Sequence, residues 1–256
     1  MKINIEEAKE EFIKYTENFN TKDKNVKRKQ QHSIRVMKIA EQIATNLKLS
    51  EEQIQLATLI GLLHDIGRFK QYTDIGLGNN LEGFDHGDYG TKLLFKEGLI
   101  RKFIETNKYD EIIKKSIKNH NKFSIEAGLT QEELLFAKLI RDADKTDIFY
   151  LLIIGEEKTI WETDNMNNEI VTNEIYREFI ENKHINYKNI ETSGDILVAH
   201  FAYIYDLYFK PTLRIFKDKR YIDQLYNRFN FTNKDTAEKF KVIHEKAKQY
   251  IEEKGW

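Results

Sequence analysis

The chain has 256 residues, enough for one large domain or two small ones with a substantial core. Its 41 basic and 42 acidic residues nearly cancel to a net charge of -1, so no bulk electrostatic signal points to nucleic acid or a membrane surface. There is no cysteine, which excludes disulfides and thiolate metal sites and leaves nitrogen and oxygen ligands for any metal. One proline, Pro211, and only 12 glycines favour long uninterrupted helices. The N-terminus is charged from the start, without an apolar signal core, and no run approaches the ~18 apolar residues of a membrane span. A cytoplasmic location is expected.

Taken in order, Ile5 to Phe19 reads as a short amphipathic helix, and Asn20 to Lys29 as a polar, basic loop or helix entry. Gln30 to Leu47 is a helix by its apolar spacing: Ile34, Met37, Ala40, Ile43, Ala44 and Leu47 recur at three- and four-residue steps. Ser50 followed three positions later by Gln53 forms a capping box that opens a helix over Glu51 to Ile66. From Ile54 that helix is apolar nearly all round, so it is expected to be central and buried. Phe69 to Asp85, with Gly76, Gly78, Asn79, Asn80 and Gly83, is expected to be a mobile loop. Asp85 caps a helix over His86 to Phe95. Further helices are expected at Leu99–Thr106, Asp110–His120, Thr130–Ile154, Thr172–Ile180, Ser193–Tyr208, Asp218–Phe229 and Lys234–Glu253. No strand, internal repeat or low-complexity tract is apparent, so the fold class is an all-α globular bundle. The polar stretch Glu156 to Glu169 is the best boundary, separating residues 1–155 from a C-terminal helical part, 156–256, packed on it or continuous with it as a single domain.

Several polar residues fall on apolar helix faces. His32 shares the stripe of Val36, Ile39, Ala40 and Ile43. His64 and Asp65 end the greasy run Ile60-Gly-Leu-Leu-His-Asp-Ile-Gly67, where Gly61 lets another backbone or a metal-bound group come close. His120 follows Ile113 and Ile117 on an inward face, and His86 begins its helix with Gly90 one turn later. In Arg141-Asp-Ala-Asp-Lys-Thr-Asp147, Asp144 lies on the stripe of Ala137, Ile140 and Ile148, but Asp142 lies on that of Leu135 and Leu139, so periodicity does not separate them. A buried His–Asp pair is costly unless something compensates it, and a metal ion would. Four inward histidines with inward aspartates suit Fe, Mn, Zn, Co or Ni. An aspartate beside a histidine can bridge two ions about 3.5–4 Å apart, which together clamp a phosphate and activate water. One inward histidine alone is more often a hydrogen-bonded core residue; only the combination points to a metal.

The series His32, His64-Asp65, His86, His120 and Asp144 resembles the signature of the HD-domain metal-dependent phosphohydrolase superfamily. Gly61-Leu-Leu-His-Asp-Ile-Gly67 is similar to that family's central motif, and Ala143-Asp144 with Lys145 and Asp147 to its closing aspartate motif, which favours Asp144 over Asp142. The resemblance covers about residues 25–150. It implies an all-α bundle in which His32, His64, Asp65 and Asp144 hold one metal. It also implies that His86 and His120 add a second ion bridged by Asp65, as in members that hydrolyse cyclic dinucleotides or dinucleoside tetraphosphates. Two specialised branches are not matched. His120 is followed by Asn121-Lys-Phe123 without a paired histidine or a Gly-Tyr-Pro segment, and Arg68-Phe-Lys-Gln71 stands where alarmone hydrolases carry a Glu-Asp pair.

The expected function is a metal-dependent phosphohydrolase, acting as a phosphomonoesterase or phosphodiesterase on a nucleotide or related small phosphate. Asp65 is the candidate proton acceptor, and Arg68 the candidate phosphate clamp, since guanidinium matches phosphate oxygens bidentately. Lys70, Arg35, Arg141 and Lys145 are cations of the same kind, Arg35 and Lys145 being better read as solvated or salt-bridged. Two other classes are a di-iron oxygenase on a similar scaffold and a non-catalytic nucleotide sensor. The C-terminal aromatics Phe201, Tyr203, Tyr205, Tyr208, Phe209 and Phe216 read as core, or else as a wall that stacks a base. Asp206 is an odd acid among them, and His184, His200 and His244 have no evident partners.

Overall fold

The computed structural model describes residues 3–19, 23–74 and 84–255. Among them all regular structure is helical, as the apolar periodicity requires. The elements are α1 (Ile5–Glu17), α2 (Lys24–Asn46), α3 (Glu51–Leu63), α4 (Ile66–Asp74), α5 (His86–Thr91), α6 (Asp110–Asn119), α7 (Gln131–Ile154), α8 (Glu157–Trp161), α9 (Asn173–Ile180), α10 (Ser193–Phe201), α11 (Lys210–Asp218), α12 (Tyr221–Tyr226) and α13 (Lys234–Lys254). The chain divides into two compact units, Met1–Asp144 and Lys145–Trp256. The division falls inside α7.

In the first unit α3 is the central rod. Its cap is the box expected from the sequence: Ser50 Oγ accepts from Gln53 N at 3.3 Å, and Gln53 Oε1 accepts from Ser50 N at 3.2 Å. Every residue from Gln55 to Leu63 is buried. The helix α2 lies against α3 at Gly61, where an added Cβ would come within 2.9 Å of Met37 Cα and 3.0 Å of Val36 O. The missing side chain is therefore what permits that backbone approach.

The central helix stops at Leu63, short of the expected Ile66. The chain turns at His64 and Asp65, with Arg68 N donating to Asp65 O at 2.9 Å, and resumes as α4. Part of the expected loop is thus helix. Ile66 and Phe69, three apart, are both fully buried, and the Phe69 ring meets Phe12 of α1 edge-on with centroids 5.7 Å apart. Residues 75–83 of that loop lie outside the described residues. Leu99–Lys102 is a 3-10 turn where the sequence predicts a longer helix, and α5 passes into a π-helical turn at Lys92–Lys96.

In the second unit α11 is an element that the apolar pattern does not single out; Pro211 sits in its first turn, where a missing N–H costs nothing. The expected long helix from Ser193 ends at Phe201 and tightens to a 3-10 turn over Ala202–Asp206. Phe201 and Phe216 are core, and Phe149 packs edge-on to Phe216 at 4.6 Å. Asp206 is explained by an ion pair with Lys145 at 2.7 Å, and it also accepts from the Tyr208 hydroxyl at 2.6 Å. No helix among the described residues is long and apolar enough to cross a membrane.

Candidate metal centre

Six side chains from α2, the α3–α4 turn, α5, the end of α6 and α7 meet inside the first unit. His32 is on α2, one turn before the Val36–Met37 contact with Gly61. His64 and Asp65 form the turn itself, so the break in the helix presents both side chains to the same place. His86 opens α5 behind the N-cap Asp85, whose carboxylate accepts from Asp88 N at 2.9 Å. His120 caps the end of α6, and Asp144 lies on α7.

The distances define two groups that share one carboxylate. His32 Nε2 lies 3.2 Å from His64 Nε2 and 3.1 Å from Asp144 Oδ1, with His64 Nε2 3.6 Å from that oxygen. Asp65 Oδ2 faces this group, 3.5 Å from His32 Nε2 and 3.6 Å from His64 Nε2. On the other side, His86 Nε2 and His120 Nε2 lie 3.1 Å apart. Asp65 Oδ1 faces them at 3.4 and 3.6 Å. Ligand atoms of His32, His64 and Asp144 all fall within 4.8 Å of one another, and so do those of His64, Asp65 and His120. Of the two aspartates that periodicity leaves open, it is Asp144 whose carboxylate reaches the imidazoles.

The donor set fits a divalent cation. Four imidazoles and two carboxylates are nitrogen and oxygen ligands of the borderline class. His64 Nδ1 donates to the Gly61 carbonyl at 2.8 Å and His120 Nδ1 to the Ile117 carbonyl at 2.6 Å, which leaves each Nε2 lone pair aimed inward. His86 Nδ1 meets the Asn121 side-chain amide at 3.3 Å, and that amide is tied to Asp85 at 3.1 Å. His32, His64, Asp65 and His120 are almost wholly buried.

The electrostatics keep the carboxylates charged and favour neutral imidazole at His86. Burial opposes ionisation of Asp65, but the Lys29 ammonium, then the imidazoles of His64, His120 and His86, outweigh it and hold its carboxyl well below the usual range. Asp144 is likewise held low against burial by hydrogen bonds from His32 and His64. Burial drives His86 well below the ordinary histidine value, with Asp65 opposing and His120 reinforcing. Deprotonated carboxylates and neutral imidazoles are the forms that bind metal.

Cations surround the cluster unequally. Lys29 Nζ lies 2.8 Å from Asp65 Oδ2, a contact that sequence reasoning does not single out in a stretch read as a loop or helix entry; α2 starts at Lys24, which puts Lys29 one turn before His32. Arg68 Nε lies 3.9 Å from Asp65 Oδ1, buried and without a hydrogen-bond partner, while its Nη1 donates to Gln71. Arg141 is committed elsewhere. Its guanidinium donates to the carbonyls of Asn119 at 2.8 Å and Lys122 at 2.6 Å and so caps the end of α6 that carries His120.

Residues 30–148 match the family model for the HD domain, a span that contains all six clustered side chains. No curated protein and no solved structure matches the chain. The segment of residues 30–148 thus carries an HD domain, the family that the histidine and aspartate motifs resemble.

Proposed function

We propose that the protein is a metal-dependent phosphohydrolase that cleaves a phosphoester of a nucleotide or similar small phosphorylated molecule, with two divalent ions in the centre. The observation that carries this reading is the orientation of Asp65: one oxygen faces His32 and His64, the other faces His86 and His120. His32, His64, Asp144 and Asp65 Oδ2 would hold one ion, and His86, His120 and Asp65 Oδ1 the other. Divalent ions in such a site supply Lewis acidity and lower the pKa of water to near neutrality.

The chain's own groups do the rest. Arg68 offers a buried, unpartnered Nε–H toward a phosphoryl oxygen, a charge-assisted bond worth more where water is excluded. Gln71, itself buried, holds the other end of that guanidinium at 2.9 Å and so orients it. Asp65 stays charged and presents one oxygen to each histidine pair. The apolar residues Leu62, Leu63 and Ile66, all fully buried, exclude bulk water behind the site.

The test is elemental analysis of protein purified without added metal, paired with turnover of generic phosphoesters in the presence of Mn, Co or Fe. Two equivalents of metal that fall toward one in His86→Ala or His120→Ala, with hydrolysis abolished in Asp65→Asn, are expected. Protein that binds no divalent ion and hydrolyses no phosphoester would overturn the reading. Two irons in aerobically purified protein without hydrolysis would favour oxygenase chemistry instead.

A further inference from the structure

Asp65 Oδ2 is approached from two directions. His32 Nε2 and His64 Nε2 stand 3.5 and 3.6 Å away, and Lys29 Nζ stands 2.8 Å away. The lysine reaches this oxygen from α2, with its side chain 21% exposed against 4% for that of Asp65, so the ammonium lies at the wet side of a buried anion. An ammonium carries three donors, and Asp65 Oδ2 is the hydrogen-bond partner of Lys29 among the described residues. Across the carboxylate, Arg68 presents its own unpartnered Nε at 3.9 Å from Oδ1. Two cations with donors to spare therefore flank a single carboxylate already faced by four imidazoles. That is more positive charge than Asp65 needs once a divalent ion shares its oxygens, and the surplus is suited to an anion.

We propose that Lys29 tunes this centre in two ways. It competes with divalent ions for Asp65 Oδ2, weakening their binding, and it supplies positive charge to the phosphoryl group of the substrate. The proposal rests on the metal-dependent reading above. Its first half follows from like-charge repulsion: an ammonium hydrogen-bonded to a ligand oxygen withdraws electron density from it and repels a dication across a few ångströms of partly buried space. Its second half follows from the spare donors and the partial exposure, which leave the ammonium accessible from solution. A lysine acting merely as a surface ion pair would do neither, and a lysine needed to position Asp65 for metal would shift metal binding in the opposite direction.

The experiment uses the full chain stripped of metal, as wild type, Lys29→Met and Lys29→Gln, each checked for an unchanged melting transition. Mn²⁺ is titrated calorimetrically, and the Mn-loaded proteins are then titrated with inorganic phosphate. Both variants are expected to bind Mn²⁺ more tightly by about tenfold and phosphate more weakly by about tenfold, which a removed unit charge at this range readily produces. Equal or weaker Mn²⁺ binding in the variants, or unchanged phosphate binding, overturns the role of Lys29 while leaving the metal centre intact. Wild-type protein that takes up no Mn²⁺ overturns the metal-dependent reading, and the role of Lys29 falls with it.

Discussion

Gly67 lies directly against the backbone of His86: a Cβ at Gly67 would sit 2.5 Å from the His86 carbonyl oxygen and 2.8 Å from Gly90 N. Gly67 stands in the first turn of α4 and lets α5 approach closely enough to bring the His86 ring to Asp65. Both obstructing atoms are backbone, so an added methyl cannot be accommodated by rotating a side chain.

Gly67→Ala is therefore expected to destabilise the fold by about 1–3 kcal/mol through overpacking and to displace α5. Melting temperature and metal stoichiometry should fall together, with His86 lost as a ligand. Gly98→Ala is the comparison. Gly98 has a φ of 76°, and no atom of the described residues lies within 4 Å of an added methyl there. Only the left-handed backbone is then penalised, by about 1 kcal/mol, and metal content should not change.

Asp142 and Asp144 are separable by experiment. Asp144→Asn removes a charged oxygen lying 3.1 Å from His32 Nε2 and should weaken divalent-ion binding by more than about 100-fold, since even outer partners of metal ligands are worth about 10–100-fold. Asp142 is fully buried, so Asp142→Asn should lower the melting temperature and leave metal affinity largely unchanged. Calorimetric titration and thermal melts on the same samples distinguish the two. Equal losses of metal affinity would show that the last ligand is misassigned.

Arg141 and Arg68 should behave as opposites. Arg141 is 1% exposed and holds the carbonyls of Asn119 and Lys122, so Arg141→Met strands buried acceptors and should cost about 3 kcal/mol. Arg68→Gln gives up one hydrogen bond to Gln71 and relieves an unpartnered buried Nε, so stability should change by less than about 1 kcal/mol while kcat/KM for a phosphoester drops by at least about tenfold. Chemical denaturation and steady-state kinetics check the pair.

His200 makes the second unit sensitive to acid. The Trp161 indole Nε1–H donates to His200 Nδ1 at 2.9 Å, a bond available only when that nitrogen is unprotonated. Burial depresses the His200 pKa to about 4 from an ordinary 6.5. The unfolded chain therefore takes up this proton first as pH falls. The stabilisation is complete above about pH 6.5 and is lost progressively toward pH 4. The residue keeps part of its surface accessible, which tempers the effect to about 1–2 kcal/mol. In urea titrations the stability gap between wild type and His200→Gln should narrow across that window; a gap independent of pH would refute the assignment.

Much of this protein is legible in its sequence. The helical class follows from three- and four-residue apolar spacing, and α3 is recognisable as central because Leu56 to Leu63 leave no polar face. His32, His64, Asp65 and His120 stand out because titratable side chains on apolar faces require compensation, whereas His86 and the choice of Asp144 over Asp142 come from the resemblance to the HD-domain motifs. Such signals are local, set by which residues share a face of one helix. Tertiary packing alone decides the rest: that the chain turns at His64–Asp65, that the two Asp65 oxygens face different histidine pairs, that Lys29 meets Oδ2, and that Arg141 caps α6 rather than facing a phosphate. Nearly all of those contacts join segments far apart in sequence. Helical period says which way a side chain points, but not which partner from another helix will be there to meet it.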